Sequence, residues 1–133
     1  MPKRRLFVSE GFAEWAGRLG AERQSRTLLD YNTELNTIAA DFVAGERIVT
    51  FLTRVDPPTG EGLIRVKTTS LRLIGWCPEP QALILAIGAK AADTHGPGKV
   101  ITALGKEVVR IRRKMGVTTW AKGEYYELFQ YQD

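Results

Sequence analysis

Between residues 63 and 87 the chain carries three short β-prone runs, each closed by turn residues, and this pattern constrains the fold more than any other feature. Leu63–Lys67 alternates, with Ile64 and Val66 on one face and Arg65 and Lys67 on the other, as a strand with one buried side must. Thr68, Thr69 and Ser70 permit a tight turn. Leu71–Trp76 forms the second run, and Pro78, Glu79, Pro80 and Gln81 mark the next turn. Residues 82–87 are all apolar, which suits a central strand buried on both faces. Periodicity alone would also admit a buried helix there, but the short length and the flanking prolines favour a strand. Three such runs in succession predict consecutive antiparallel strands.

Helical signals lie on both sides of this block. Residues 4–8 read as a short first strand, and Ser9 can cap a helix on which Phe12, Trp15 and Leu19 recur at helical spacing before Gly20 ends it. Leu28, Tyr31, Leu35 and Ile38 define a second helix, with Arg23, Arg26, Asp30 and Glu34 largely on its polar side, so the pair predicts an αα-hairpin. Residues 47–52 are strand-like, and 56–60 form a loop too short to link domains. A third helix is expected from Lys99 to Met115, with Val100, Leu104, Val108, Ile111 and Met115 as its apolar stripe and Gly116 as its stop. The tail holds Trp120, Tyr125, Tyr126, Phe129 and Tyr131, and it is expected to pair as a strand or dock on the core. The order predicts an α+β fold, an antiparallel sheet with an N-terminal αα-hairpin on one side and a basic C-terminal helix.

Composition bounds what such a fold can do. A chain of 133 residues, 44% hydrophobic and 26% charged, is expected to make one globular domain over 1–133. No apolar run is long enough for a membrane span, and the basic start lacks the apolar core of a signal peptide, so no membrane partner is expected. The single cysteine, Cys77, cannot make an internal disulfide, and a cytoplasmic location is the expectation. Cys77 reads as a packed thiol rather than a nucleophile. One histidine and one cysteine do not suggest a metal site, and the glycines between Gly88 and Gly98 fit no nucleotide-binding pattern, so no cofactor is expected. The net charge of +4, from 19 Lys plus Arg against 15 Asp plus Glu, permits an acidic partner such as RNA. Much of the excess lies in the third helix, where Lys99, Lys106, Arg110, Arg112, Arg113 and Lys114 accompany one acid, Glu107.

The order of these elements resembles the RelE/HigB toxins of bacterial toxin–antitoxin systems, including their phage-related members. Phe7 to Trp15 is similar to the family's first strand running into a helix. Residues 63–74 resemble its central hairpin, with Leu71-Arg72-Leu73 in the place of a Tyr-Arg-Leu-type segment, and residues 85–90 resemble a strand ending in Gly and a basic residue. The helix with Lys106, Arg110, Arg112 and Arg113 is similar to the basic C-terminal helix of HigB. The likeness covers roughly 4–116, with 117–133 as an aromatic extension and 44–62 as an insertion. It implies mRNA cleavage at the ribosome, with no metal or cofactor, and neutralisation by a cognate antitoxin. By position, Arg65, Lys67, Arg72 and Lys90 match places where the family commonly holds catalytic Lys or Arg, which implies such roles here. The chain departs from the pattern at Leu71, which stands where an aromatic is usual, and at 91–95, which lacks the aromatic many members place after the last strand.

RNA cleavage without metal requires removal of a 2′-hydroxyl proton, stabilisation of charge on phosphate, and protonation of the leaving oxygen. Guanidinium forks suit the middle task. Arg65 and Lys67 share a strand face, Arg72 joins them if the hairpin register allows, and Lys90 follows the last strand. The ordinary alternative is that these are solvent-facing strand residues. His95, with Asp93 two residues before it, is a candidate acid or base, and a lone loop histidine is more often plain surface. Lys67, Lys99, Lys106, Arg110 and Arg113 are candidate phosphate contacts, although a charged helix face is usually just solvated. Two functions therefore stay open. One is an endoribonuclease toxin with mRNA, the ribosome and an antitoxin as partners. The other, suited by the two departures, is a phage-derived domain of the same fold that only binds nucleic acid or protein. The aromatic tail also leaves a homodimer open.

Overall fold

The computed structural model describes residues 4–20, 31–45, 52–54, 62–94, 99–117, 119–121 and 129, without the side chains of 52–54 and of Lys99. Its elements are β1 (Arg5–Val8), α1 (Glu10–Gly20), α2 (Tyr31–Val43), β2 (Leu52–Arg54), β3 (Leu63–Lys67), β4 (Leu71–Trp76), β5 (Ala82–Lys90) and α3 (Lys99–Lys114), with a single 3₁₀ turn at Ala91–Thr94. The fold is mixed α+β. One sheet runs in the order β1-β5-β4-β3-β2. The three runs read from the sequence pair antiparallel as β3, β4 and β5, and β1 adds to β5 in parallel. The expected strand at 47–52 lies outside the described residues except for Leu52, which opens β2.

Both faces of the sheet are covered, which explains the apolar composition of β5. On one face Ile64, Val66, Leu71, Leu73, Leu83 and Leu85 pack against Phe12 and Leu19 of α1 and Phe42 of α2. On the other, Leu63, Ile74, Trp76 and Ala86 pack against Ile101, Val108 and Val109 of α3. The apolar stripe of α3 follows the expected one at its centre, where Leu104, Val108 and Ile111 pack against the sheet, and departs from it at the two ends. Val100 and Met115 are exposed, while Ile101, Val109 and Arg112 are buried beside the expected row. The buried row needs a residue at each turn, and Arg112 fills the last place with an arginine, so counting apolar residues alone misses the end of the stripe.

Ser9 works as the expected cap, and it also does more. Its hydroxyl accepts from the Phe12 N–H at 3.1 Å and donates to the Ala86 carbonyl at 2.9 Å. Ala86 is the extra residue of a β-bulge: Ile74 pairs with Ile87, but the next residue, Gly75, pairs with Leu85. The bulge brings the two strands so close that a Cβ on Gly75 would collide with the Ile84 carbonyl oxygen. Only glycine fits there.

The described parts of the tail dock on the core, as expected. The Ala121 N–H donates to the Cys77 carbonyl at 2.8 Å. Phe129 is buried edge-on against Phe42, with ring centroids 5.2 Å apart. Trp120 covers Arg112, whose guanidinium carbon lies 3.9 Å from a ring centroid of the indole. Among the described residues no helix is long and apolar enough to cross a membrane.

Candidate functional site

Register decides which basic residues meet. In an antiparallel pair, residues directly opposite one another project to the same face. Lys67 is opposite Arg72, and Arg65 is opposite Ile74, so Arg65, Lys67 and Arg72 share one face with Ile74. That is the α3 face of the sheet, since Ile74 packs in the α3 cluster. All three side chains are half-buried. The hairpin therefore gathers three cations at one end of the sheet, with two of them directly opposed. Like charges in that relation destabilise a strand pair.

The electrostatics follow from the crowding. Arg65, then partial burial, then Arg72 hold the Lys67 ammonium below its ordinary pKa of 10.5. Arg72 is fixed by its own turn, because its Nη1 donates to the carbonyls of Thr68 and Leu71, both at 2.8 Å. Neither bond uses Nε or Nη2. A guanidinium anchored at one nitrogen can present the others as a fork to a phosphate or carboxylate.

Lys90 goes elsewhere. It is opposite Leu71, and Leu71 belongs to the α1/α2 face. Its ammonium lies 5.7 Å from the ring centroid of Tyr31 on α2. The bulge at Ala86 is the cause. In a regular strand of the same residues, Lys90 would keep the parity of Ile84, which faces α3 opposite Trp76, and would stand on the same side as Arg72. The structure thus brings Arg65, Lys67 and Arg72 together and places Lys90 at the same end of the sheet but on the opposite face. His95 lies outside the described residues.

The basic helix forms a second positive surface. Lys106, Arg110 and Arg113 are exposed in a row at helical spacing, on the side of α3 turned from the sheet. Arg110 is engaged by Glu107, one turn earlier, through Nε at 3.0 Å and through Nη2. Those bonds hold the Glu107 carboxyl below its ordinary pKa. Of Lys99 only the backbone is described.

Two charged residues of the helices are buried, which the sequence reading does not foresee. Glu34, expected on the polar side of α2, is buried, and its Oε1 accepts from the Thr68 hydroxyl and the Ser70 N–H, each at 2.8 Å. Arg112, counted among the basic residues of the third helix, is 1% exposed between Trp76 and Trp120. Neither could be found from spacing. The one signal for Glu34 was its place three residues after Tyr31, on the edge of the helix's apolar stripe.

The remaining features are of other kinds. Burial pushes the Cys77 thiol up to about 11, and its Sγ donates to the Glu79 carbonyl at 2.9 Å, which describes an unreactive packed thiol. An apolar cleft of about 350 Å³ opens between α1 and α2, lined by Leu6, Phe12, Ala16, Leu35, Ile38 and Leu85. Comparison of the chain with protein-family models, curated proteins and solved structures returned no match.

Proposed function

We propose that this chain binds RNA through its phosphates, with Arg65, Lys67 and Arg72 as the grip and the outer row of α3 as a second contact. The observation that carries this reading is the opposed Lys67–Arg72 pair with Arg65 beside it, three cations assembled on one face at a cost to the hairpin. A polyanion seated there turns that repulsion into attraction, and release of its counterions adds to the affinity. The two basic surfaces lie on the same side of the sheet, so one strand of RNA running past both would neutralise several phosphates.

A second reading is favoured by the lowered pKa of Lys67. An ammonium that gives up its proton more easily than usual suits proton transfer during phosphodiester cleavage, while the Arg65 and Arg72 guanidiniums would stabilise charge on the phosphate. This is the endoribonuclease of the RelE/HigB type, acting on mRNA at the ribosome in the cytoplasm and held in check by an antitoxin. In it Lys90, on the far face, contributes from the rim of the site rather than from the same surface.

Salt dependence tests the binding reading. Affinity for single-stranded RNA is expected to fall steeply as salt rises, and binding insensitive to salt overturns the proposal. Growth arrest on induced expression, lost with Arg72→Ala, supports cleavage. A wild-type protein that binds RNA yet neither cuts it nor slows growth leaves the binding function alone.

A further inference from the structure

Glu34 is buried, at 6% exposure, and among the described residues only its Oε1 accepts hydrogen bonds. Its Oε2 is buried and makes no hydrogen bond among the described residues. A buried carboxyl group satisfied in this partial way is costly, so its presence there calls for a reason. The direction in which Oε1 points supplies one. Both of its donors belong to the three-residue turn between β3 and β4.

Thr68 is the junction of that turn. Its hydroxyl donates to Glu34 and accepts from the Leu71 N–H at 3.0 Å, while its carbonyl accepts Nη1 of Arg72 at 2.8 Å. Lys67 is the residue just before it and stands opposite Arg72. The orientation of the Arg72 guanidinium is therefore set by the turn, and the turn is tied to α2 by one carboxylate. The end of β5 joins the same arrangement, since the Ala91 N–H donates to the Ser70 carbonyl at 2.7 Å. A short turn carrying opposed cations would otherwise tend to splay, because Lys67 and Arg72 repel each other.

We propose that Glu34 is a positioning residue of the cationic site, fixing the Thr68–Ser70 turn from α2 and, through the Thr68 carbonyl, the guanidinium of Arg72. The inference rests on the reading of that site as a phosphate grip. Glu34 does not touch the ligand.

The experiment combines RNA affinity with a direct view of Arg72. The probe is a short labelled single-stranded oligouridylate followed by fluorescence anisotropy, alongside the Nε–Hε NMR signal of Arg72 in the free protein. Glu34→Ala is expected to weaken binding about tenfold and to shift or broaden the Arg72 signal, whereas Glu34→Gln, which keeps an acceptor oxygen, stays within about threefold of wild type. In an Arg72→Ala background, Glu34→Ala should cost almost nothing further, because the two act as one unit. An equal loss in that background, or a folded Glu34→Ala protein with wild-type affinity and an unmoved Arg72 signal, overturns the proposal. If Glu34→Ala does not fold, Thr68→Val removes one of the two bonds from the other side, leaves that of the Ser70 N–H, and is expected to give a smaller loss of the same kind, with unchanged affinity and signal overturning the proposal. A wild-type protein that binds no RNA sinks the phosphate reading, and the Arg72 signal then still decides whether Glu34 positions that side chain.

Discussion

Arg112 and Arg72 lie on the same side of the sheet, and the fold treats them in opposite ways. Arg112 is sealed between two indoles, 5.7 Å from the Trp76 ring centroid and 3.9 Å from a Trp120 centroid, and so joins α3 to the sheet and to the tail. Arg72 stays half-buried at the sheet's end, pinned through Nη1 and opposed by another cation. The first arrangement spends the guanidinium's flat faces on packing. The second holds the group in place while leaving donors unspent. The difference teaches that a basic residue's role is set by what surrounds it, and that only the second kind of site has something left to offer a ligand.

Breaking the packed arginine should have the largest effect. Arg112→Ala removes a fully buried side chain from between Trp76 and Trp120 and is expected to cost about 3 kcal/mol of stability by denaturant unfolding. RNA affinity of the molecules that remain folded should barely change. A loss of affinity with full stability would erase the distinction between the two arginines.

Arg72→Ala should do the reverse. Stability is expected to stay within about 1 kcal/mol of wild type, because the side chain is only half-buried. Affinity for RNA should fall about tenfold, with a slope of log affinity against log salt smaller by about one. Lys90→Ala, on the other face, should weaken binding less than Arg72→Ala. Equal effects would mean that RNA wraps the end of the sheet and touches both faces.

The pH dependence sharpens the same contrast. Lys67 is held below 10.5 by Arg65 and Arg72, so in the window just under that value the unfolded chain binds more protons than the folded one, and stability rises with pH across it. Bound phosphate offsets the repulsion and favours the charged lysine, so binding takes up a proton there. Affinity should decline as pH rises through the lowered pKa, and Lys67→Arg, which stays charged, should flatten the decline. A decline that persists unchanged in Lys67→Arg would assign it to another group. The smallest effect is expected at Arg110, already engaged by Glu107: Arg110→Ala should weaken binding to all RNA sequences about equally and by less than Arg72→Ala.

Much of this was readable before any coordinates. Alternation in 63–67 put Arg65 and Lys67 together and opposite Ile64 and Val66, and the structure keeps that division. Ser9 announced the start of α1, and the aromatic tail announced its docking through Trp120 and Phe129. These are local properties, fixed by side-chain period, by backbone donors left open at a helix start, and by apolar area that water disfavours. Whether Arg72 and Lys90 would meet was not local. Hairpin register brought Arg72 to Lys67, and the single extra residue at Ala86 turned Lys90 to the other face. The burial of Glu34 likewise waited on where α2 landed, since its partners Thr68 and Ser70 are more than thirty residues away in the chain. Sequence determined which residues share a face within a regular strand such as 63–67. Only tertiary structure decided which faces coincide, because that depends on register, a bulge and the docking of a helix, none of which a side-chain period encodes.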